Sequence, residues 1–229
     1  MSDDTRHSSE LHRSLPYVIP FVAFLIFLAA EREFKFRPEI FYPIRFTSVL
    51  AILFFFSRKV ISFRVSNALG SIVMGVAVFA IWIAPDVLWP GYRSHWLFSN
   101  DILGRPETSL DPAAKTNVFF LTLRFLGASV KVPIFEELFW RGFLPRWLTN
   151  HEFWKLPMGT FSRQSFWIVA VLFASEHGSY WEVGLLAGIL YNWWMLRTRS
   201  LGDCILAHAV TNACLSAYVI RFAQWQYWL

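Results

Sequence analysis

Six polar side chains interrupt otherwise apolar stretches of this sequence: Glu136, Glu137, Arg141, His177, His208 and Asn212. An ionisable group at membrane depth is costly, so each is a functional candidate by default. In Ile134-Phe135-Glu136-Glu137-Leu138-Phe139-Trp140-Arg141, two carboxylates stand among bulky apolar residues. On a helix Glu137 and Arg141 fall at i,i+4 and can pair. Pairing removes the cost of either buried charge alone. Glu136 points about 100° away round the helix and has no local partner. A carboxylate so placed is a candidate general base for activating water. The plainer reading is that both glutamates solvate an interfacial loop.

Two further segments supply matching groups. Phe173-Ala174-Ser175-Glu176-His177 ends an apolar run just before Gly178. A histidine there can cap a helix or serve as a base or ligand, and Glu176 reads as an interfacial charge. In His208-Ala209-Val210-Thr211-Asn212, His208 and Asn212 share one helix face at i,i+4. Two donors aimed at one point make an oxyanion site, although the same pair could simply bridge helices. A base, a second base or ligand, and two donors on three helices are what hydrolysis by activated water requires.

Together the three segments resemble the EExxxR, FxxxH and HxxxN motifs of the CAAX-protease and bacteriocin-processing family of intramembrane proteases. They occur in the family's order, over about residues 116–220. The resemblance implies that Glu136 activates the water, His177 helps to hold it, and His208 and Asn212 stabilise the oxyanion. Glu137 and Arg141 would form a structural pair. It leaves the cofactor open: Glu136, His177 and His208 could bind zinc, whose usual ligands include these groups, and a metal-free glutamate base suits them equally. The implied substrate is a membrane-associated peptide or protein. Leu138 to Leu148 and Leu190 to Leu206 are similar to a bacterial branch linked to exosortase protein-sorting systems.

Other protease chemistries lack their residues. The nearest string to HExxH, beginning at His151-Glu152, has no second histidine, and Ser200-Leu201-Gly202-Asp203 departs from GxGD. Asp203 reads instead as a helix N-cap. Arg124 and Lys131 share a face seven residues apart, where they can snorkel, pair with acids or steer a substrate carboxylate.

The elements that must position these groups are membrane helices. Of 229 residues, 55% are hydrophobic and only 16% charged, against roughly 25% charged in soluble domains. Apolar runs at 15–31, 39–57, 66–89, 116–135, 165–177, 181–197 and 202–222 predict an all-α polytopic transmembrane bundle of seven or eight helices. The fifth and sixth runs are short and meet at Gly178, and residues 137–150 offer a further helix. The expected organisation is a disordered cytosolic tail at 1–14, N-terminal transmembrane helices and a loop at 15–115, and the catalytic core at 116–229. The connection at 90–115 is polar, with Trp89, Tyr92 and Trp96 suited to an aromatic belt. Basic residues such as Arg58, Lys59, Arg197 and Arg199 lean the topology towards a cytosolic N-terminus in a bacterial inner membrane. They form no compact patch with exposed aromatics, which argues against a nucleic-acid partner. Two other readings stay open: a proton-coupled transporter, or a noncatalytic binding or immunity protein of the same fold. Confinement of the polar residues to one half of the chain counts against the repeated halves of a transporter.

Overall fold

The computed structural model describes residues 3–34, 36–106, 108 and 110–228, with side chains from Glu10 onward. The described residues form seven helical rods. They are α1 (Asp3–Phe34), α2 (Pro38–Ile52, extended by a π-turn at Leu53–Ser57), α3 (Ala68–Leu88), α4 (Val118–Thr149), α5 (Arg163–Ser175), α6 (Trp181–Thr198) and α7 (Leu201–Phe222). Five of them, α1, α2, α3, α4 and α7, are long and apolar enough to cross a membrane. The chain is therefore an integral membrane protein, and large apolar side chains such as Phe55, Leu69, Val73 and Val171 stand on its outer surface. In water that exposure would be costly; against lipid it is not.

Local sequence sets the ends of these rods. Pro38 opens α2, where its missing N–H costs nothing. Asn67 and Asn117 cap α3 and α4, accepting from the N–H groups of Gly70 and Phe120. The helix of α1 begins at Asp3, so residues 3–14, expected as a disordered tail, continue the first rod beyond its apolar portion from Glu10. Met1 and Ser2 lie outside the described residues.

The fourth rod departs most from expectation. The sequence suggests a span ending near residue 135 and a separate helix after it, yet Val118–Thr149 is one rod. At about 1.5 Å per residue, its 32 residues exceed the apolar thickness of a bilayer. Two π-helical turns, Gly127–Lys131 and Leu138–Phe143, bracket the short α-helical piece that carries both glutamates. Pro133 and Pro145 each follow a π-turn at the start of a new α-helical piece. There the ladder is already interrupted, so proline costs less than in a regular helix.

Packing draws on both halves of the chain. The principal core joins Phe21, Val49 and Val78 of the first three rods to Phe135, Phe173, Tyr191 and Cys204 of the last four. Helix α3 lies mainly along α7, and α5 along α6. The two cysteines, Cys204 and Cys214, are free thiols. Arg45 of α2 forms an ion pair with Glu31 of α1. Lys131 is only 2% exposed and does not snorkel. Its ammonium lies 5.0, 5.6 and 5.8 Å from the ring centroids of Phe46, Tyr42 and Phe24, a cation–π enclosure.

Asp203 does not play the part expected of it. Ser200 caps α7, accepting from the Asp203 N–H at 3.2 Å. The Asp203 carboxylate reaches across to α3 instead, accepting from Ser66 N and Asn67 N at 2.8 Å each and from Ser71 Oγ at 2.9 Å. One carboxylate thus closes the start of α3 and locks it to the start of α7. We expect Asp203→Ala to lower the thermal midpoint clearly, because each stranded buried donor costs roughly 1–3 kcal/mol. Asp203→Asn, which still accepts on one side, should fall between, as read by thermal unfolding in detergent.

Candidate active site

Glu137 is fully buried, and Arg141, one turn on, is 1% exposed. Arg141 Nη1 donates to Glu137 Oε1 at 3.1 Å, the pairing expected from i,i+4 spacing. The same oxygen lies 2.8 Å from His208 Nδ1 on α7. Glu137 therefore holds the His208 ring as well as the arginine, an arrangement in which a carboxylate fixes tautomer and orientation. The guanidinium lies 4.5 Å from the Phe173 ring centroid and 5.2 Å from that of Tyr191.

With Nδ1 engaged, His208 turns Nε2 towards Glu136. The distance from Nε2 to Glu136 Oε2 is 4.0 Å. That is too long for a hydrogen bond, and short enough for one oxygen atom to bond to both groups. The Glu136 side chain keeps 13% of its surface exposed, against none for Glu137. Two adjacent carboxylates thus have different surroundings: one is enclosed by a cation and an imidazole, and the other is open and faces a histidine across a gap.

His177 closes α5. Its Nδ1 lies 2.7 Å from the Phe173 carbonyl, so this nitrogen is the donor and Nε2 is left with a lone pair. Its ring packs 5.1 Å from Trp82 of α3 and 4.7 Å from Phe173. The next residue, Gly178, has φ +49°, a left-handed conformation in which a side chain would be strained. It lets the chain reverse at once into α6. Glu176 is exposed beside it.

Gly184 of α6 lies under the His177 ring. A Cβ there would stand 3.1 Å from His177 Nδ1 and 3.2 Å from its Cγ. Gly184→Ala should displace the imidazole by a few tenths of an ångström and lower turnover, and Gly184→Val should lower it further. Rates measured on protein that still elutes as a folded species check this; wild-type turnover in the valine variant would count against it.

Asn212, one turn beyond His208, donates Nδ2 to the Ala128 carbonyl at 2.9 Å. That contact occupies one of its two amide N–H groups, and its acceptor lies in the first π-turn of α4. The structure thus joins Glu136, Glu137, Arg141 and His208 directly. His177 adjoins them through Phe173, whose ring is 6.3 Å from that of His208, and Asn212 bonds to backbone.

Several neighbours carry no motif. Tyr191 stacks on His208, with centroids 5.2 Å apart and planes at 24°. Its hydroxyl bonds to Thr211 Oγ1 at 2.6 Å, and Thr211 donates on to the Gly75 carbonyl. The Trp140 Nε1 donor is buried and directed at the Glu176 carboxylate. A phenol in an apolar run was the one visible sign for Tyr191; Trp82 and Gly184 gave none.

Among the described residues no three His, Cys, Asp or Glu side chains converge in a geometry that could hold a metal ion.

Residues 118–214, which contain all of these motifs, match the family model described as "Rce1-like: Type II CAAX prenyl endopeptidase Rce1-like". Comparison with curated proteins and with solved structures gives no match.

Proposed function

We propose that this chain, whose residues 118–214 match the type II CAAX prenyl endopeptidase model, is a CAAX-type protease that cuts a peptide bond of a membrane-associated substrate with a water activated by Glu136. The observation that carries this reading is the contrast between the two carboxylates. Glu137 is spent on Arg141 and His208, while Glu136 is open and faces His208 Nε2 at 4.0 Å.

The chemistry follows from those positions. A water in the gap gives a proton to Glu136, helped into place by the free Nε2 of His177, and its oxygen attacks the scissile carbonyl carbon. The resulting oxyanion is assigned to the second N–H of Asn212 and to His208 in its protonated form, with Nδ1–H held by Glu137 and Nε2–H turned to the reacting oxygen. Glu136 then passes its proton to the leaving nitrogen, the C–N bond breaks, and the products are a new carboxylate and a new amine. Glu137 and Arg141 take no proton in this cycle; they hold His208. No step calls for a metal.

The substrate side of the proposal is broader. The site lies among helices whose outer surfaces are apolar, so a peptide anchored in the same bilayer reaches it more readily than a soluble one. A bacterial sorting system of the exosortase type is one setting for such a substrate, supported by the stretches Leu138 to Leu148 and Leu190 to Leu206. The test is to reconstitute the purified chain in lipid vesicles with lipid-anchored peptides of varied C-terminal sequence and to identify products by mass. Paired fragments ending in a new carboxylate support the reading. Tight binding of a peptide with no fragments at any enzyme concentration favours a noncatalytic binding protein.

A further inference from the structure

The connection between α3 and α4 lies outside the matched segment, and it folds over the turn that carries His177. Arg93 stands at its base, 7% exposed. Its Nη1 lies 2.6 Å from Glu182 Oε1 in the first turn of α6 and donates to the Ser179 carbonyl at 2.7 Å. Its Nε lies 3.0 Å from Asp86 Oδ1 near the end of α3. The guanidinium sits over the Tyr180 ring, 4.1 Å from the centroid. One side chain therefore ties together α3, the 176–180 turn and α6.

Smaller contacts follow the same seam. Trp181 Nε1 donates to the Leu97 carbonyl at 3.0 Å, and Ser179 Oγ to the Gly104 carbonyl at 3.4 Å. Tyr227, in the C-terminal segment, donates to Asp86 Oδ2 at 2.7 Å. Burial and the Asp86 carboxylate both push its phenol above its ordinary range, so it remains a donor at all physiological pH values.

His177 needs such ties. Among the described residues its imidazole has a single hydrogen bond, to Phe173 of its own helix, and the residue after it is a glycine with positive φ. A turn of that kind has little stiffness of its own. The wall against the ring is Trp82, one helical turn before Asp86 on α3. Arg93 thus grips both the turn that bears His177 and the helix that bears its wall. We propose that Arg93 is a positioning residue for His177, so that the connection between α3 and α4 is a working part of the active site. This rests on the reading of His177 as part of the hydrolytic centre.

The test compares wild type, Arg93→Ala, Arg93→Lys and the double variant Arg93→Gln/Glu182→Gln in vesicles, on one cleaved peptide. The double variant removes a buried cation with its anion, and so keeps the experiment decisive if Arg93→Ala fails to fold. A small misplacement of a catalytic group costs about a hundredfold in rate. The expected result is a kcat lower by about that factor in folded Arg93→Ala and in the double variant, with KM within about threefold of wild type. Arg93→Lys should recover only part, because an ammonium cannot reproduce the three-way fork. Wild-type kcat in the folded double variant would overturn the inference, as would a change in KM alone. Glu136→Gln on the same peptide separates the two claims. If it still cleaves, the hydrolytic reading fails; if it does not, and kcat is indifferent to Arg93, only this inference fails.

Discussion

Glu136→Gln should leave the protein folded and reduce peptide cleavage by at least about a thousandfold, within the range contributed by a positioned general base. The substitution is isosteric and removes a base without opening a cavity. Among the described residues Glu136 makes no hydrogen bond that its amide would break, and it faces His208 at 4.0 Å. Peptide binding should survive, because the altered group acts on the water. The loss should therefore appear in kcat with KM little changed. Rates and affinities on the same reconstituted preparation measure this. Equal loss of binding and turnover would point instead to a role in holding substrate.

The second large effect is on stability. Arg141→Ala should destabilise the protein severely, by roughly the 3–5 kcal/mol that follows from breaking a buried ion pair. Glu137 would remain fully buried, with one oxygen still on His208 and its Oε2 already without a hydrogen-bond partner among the described residues. Phe173 and Tyr191 would lose the guanidinium between them. Arg141→Met/Glu137→Gln removes both charges while keeping most of the volume, and should recover much of the loss. Its activity should nonetheless stay low, because His208 would lose the carboxylate that orients it. Thermal midpoints and expression yields in one detergent test the order wild type, double variant, Arg141→Ala. A single variant as stable as wild type would show that the pair is not the strut described here.

These two predictions were legible in the sequence to different depths. The spacing of Glu137 and Arg141 fixed their pairing, since any helix brings i and i+4 together. The isolation of Glu136 followed from the same geometry. The tie from Glu137 to His208 did not, because it joins helices 71 residues apart and no local periodicity records it. The rods were readable as apolar runs, including the short α5 and α6 that meet at Gly178. The unbroken length of α4 was not readable. Two prolines and two adjacent glutamates suggest a boundary, and only the π-turns show how the rod continues through them. Asp203 illustrates the same limit. Its place next to a helix start suggested a cap for its own helix, and it closes the neighbouring one. Arg93 gave no signal at all. A single arginine in a polar connection looks like a solvated charge, and its importance depends on which turn that connection covers.

The central claim is that Glu136 acts as a base on water rather than attacking the peptide itself. Single-turnover cleavage in heavy-oxygen water tests it most directly, with enzyme in excess over a lipid-anchored peptide. If Glu136 activates water, the new carboxyl terminus carries heavy oxygen from the first turnover and the Glu136 carboxylate stays unlabelled. Light oxygen in the first product, with the label appearing in Glu136, would mean a covalent acyl intermediate on that side chain and would contradict the account.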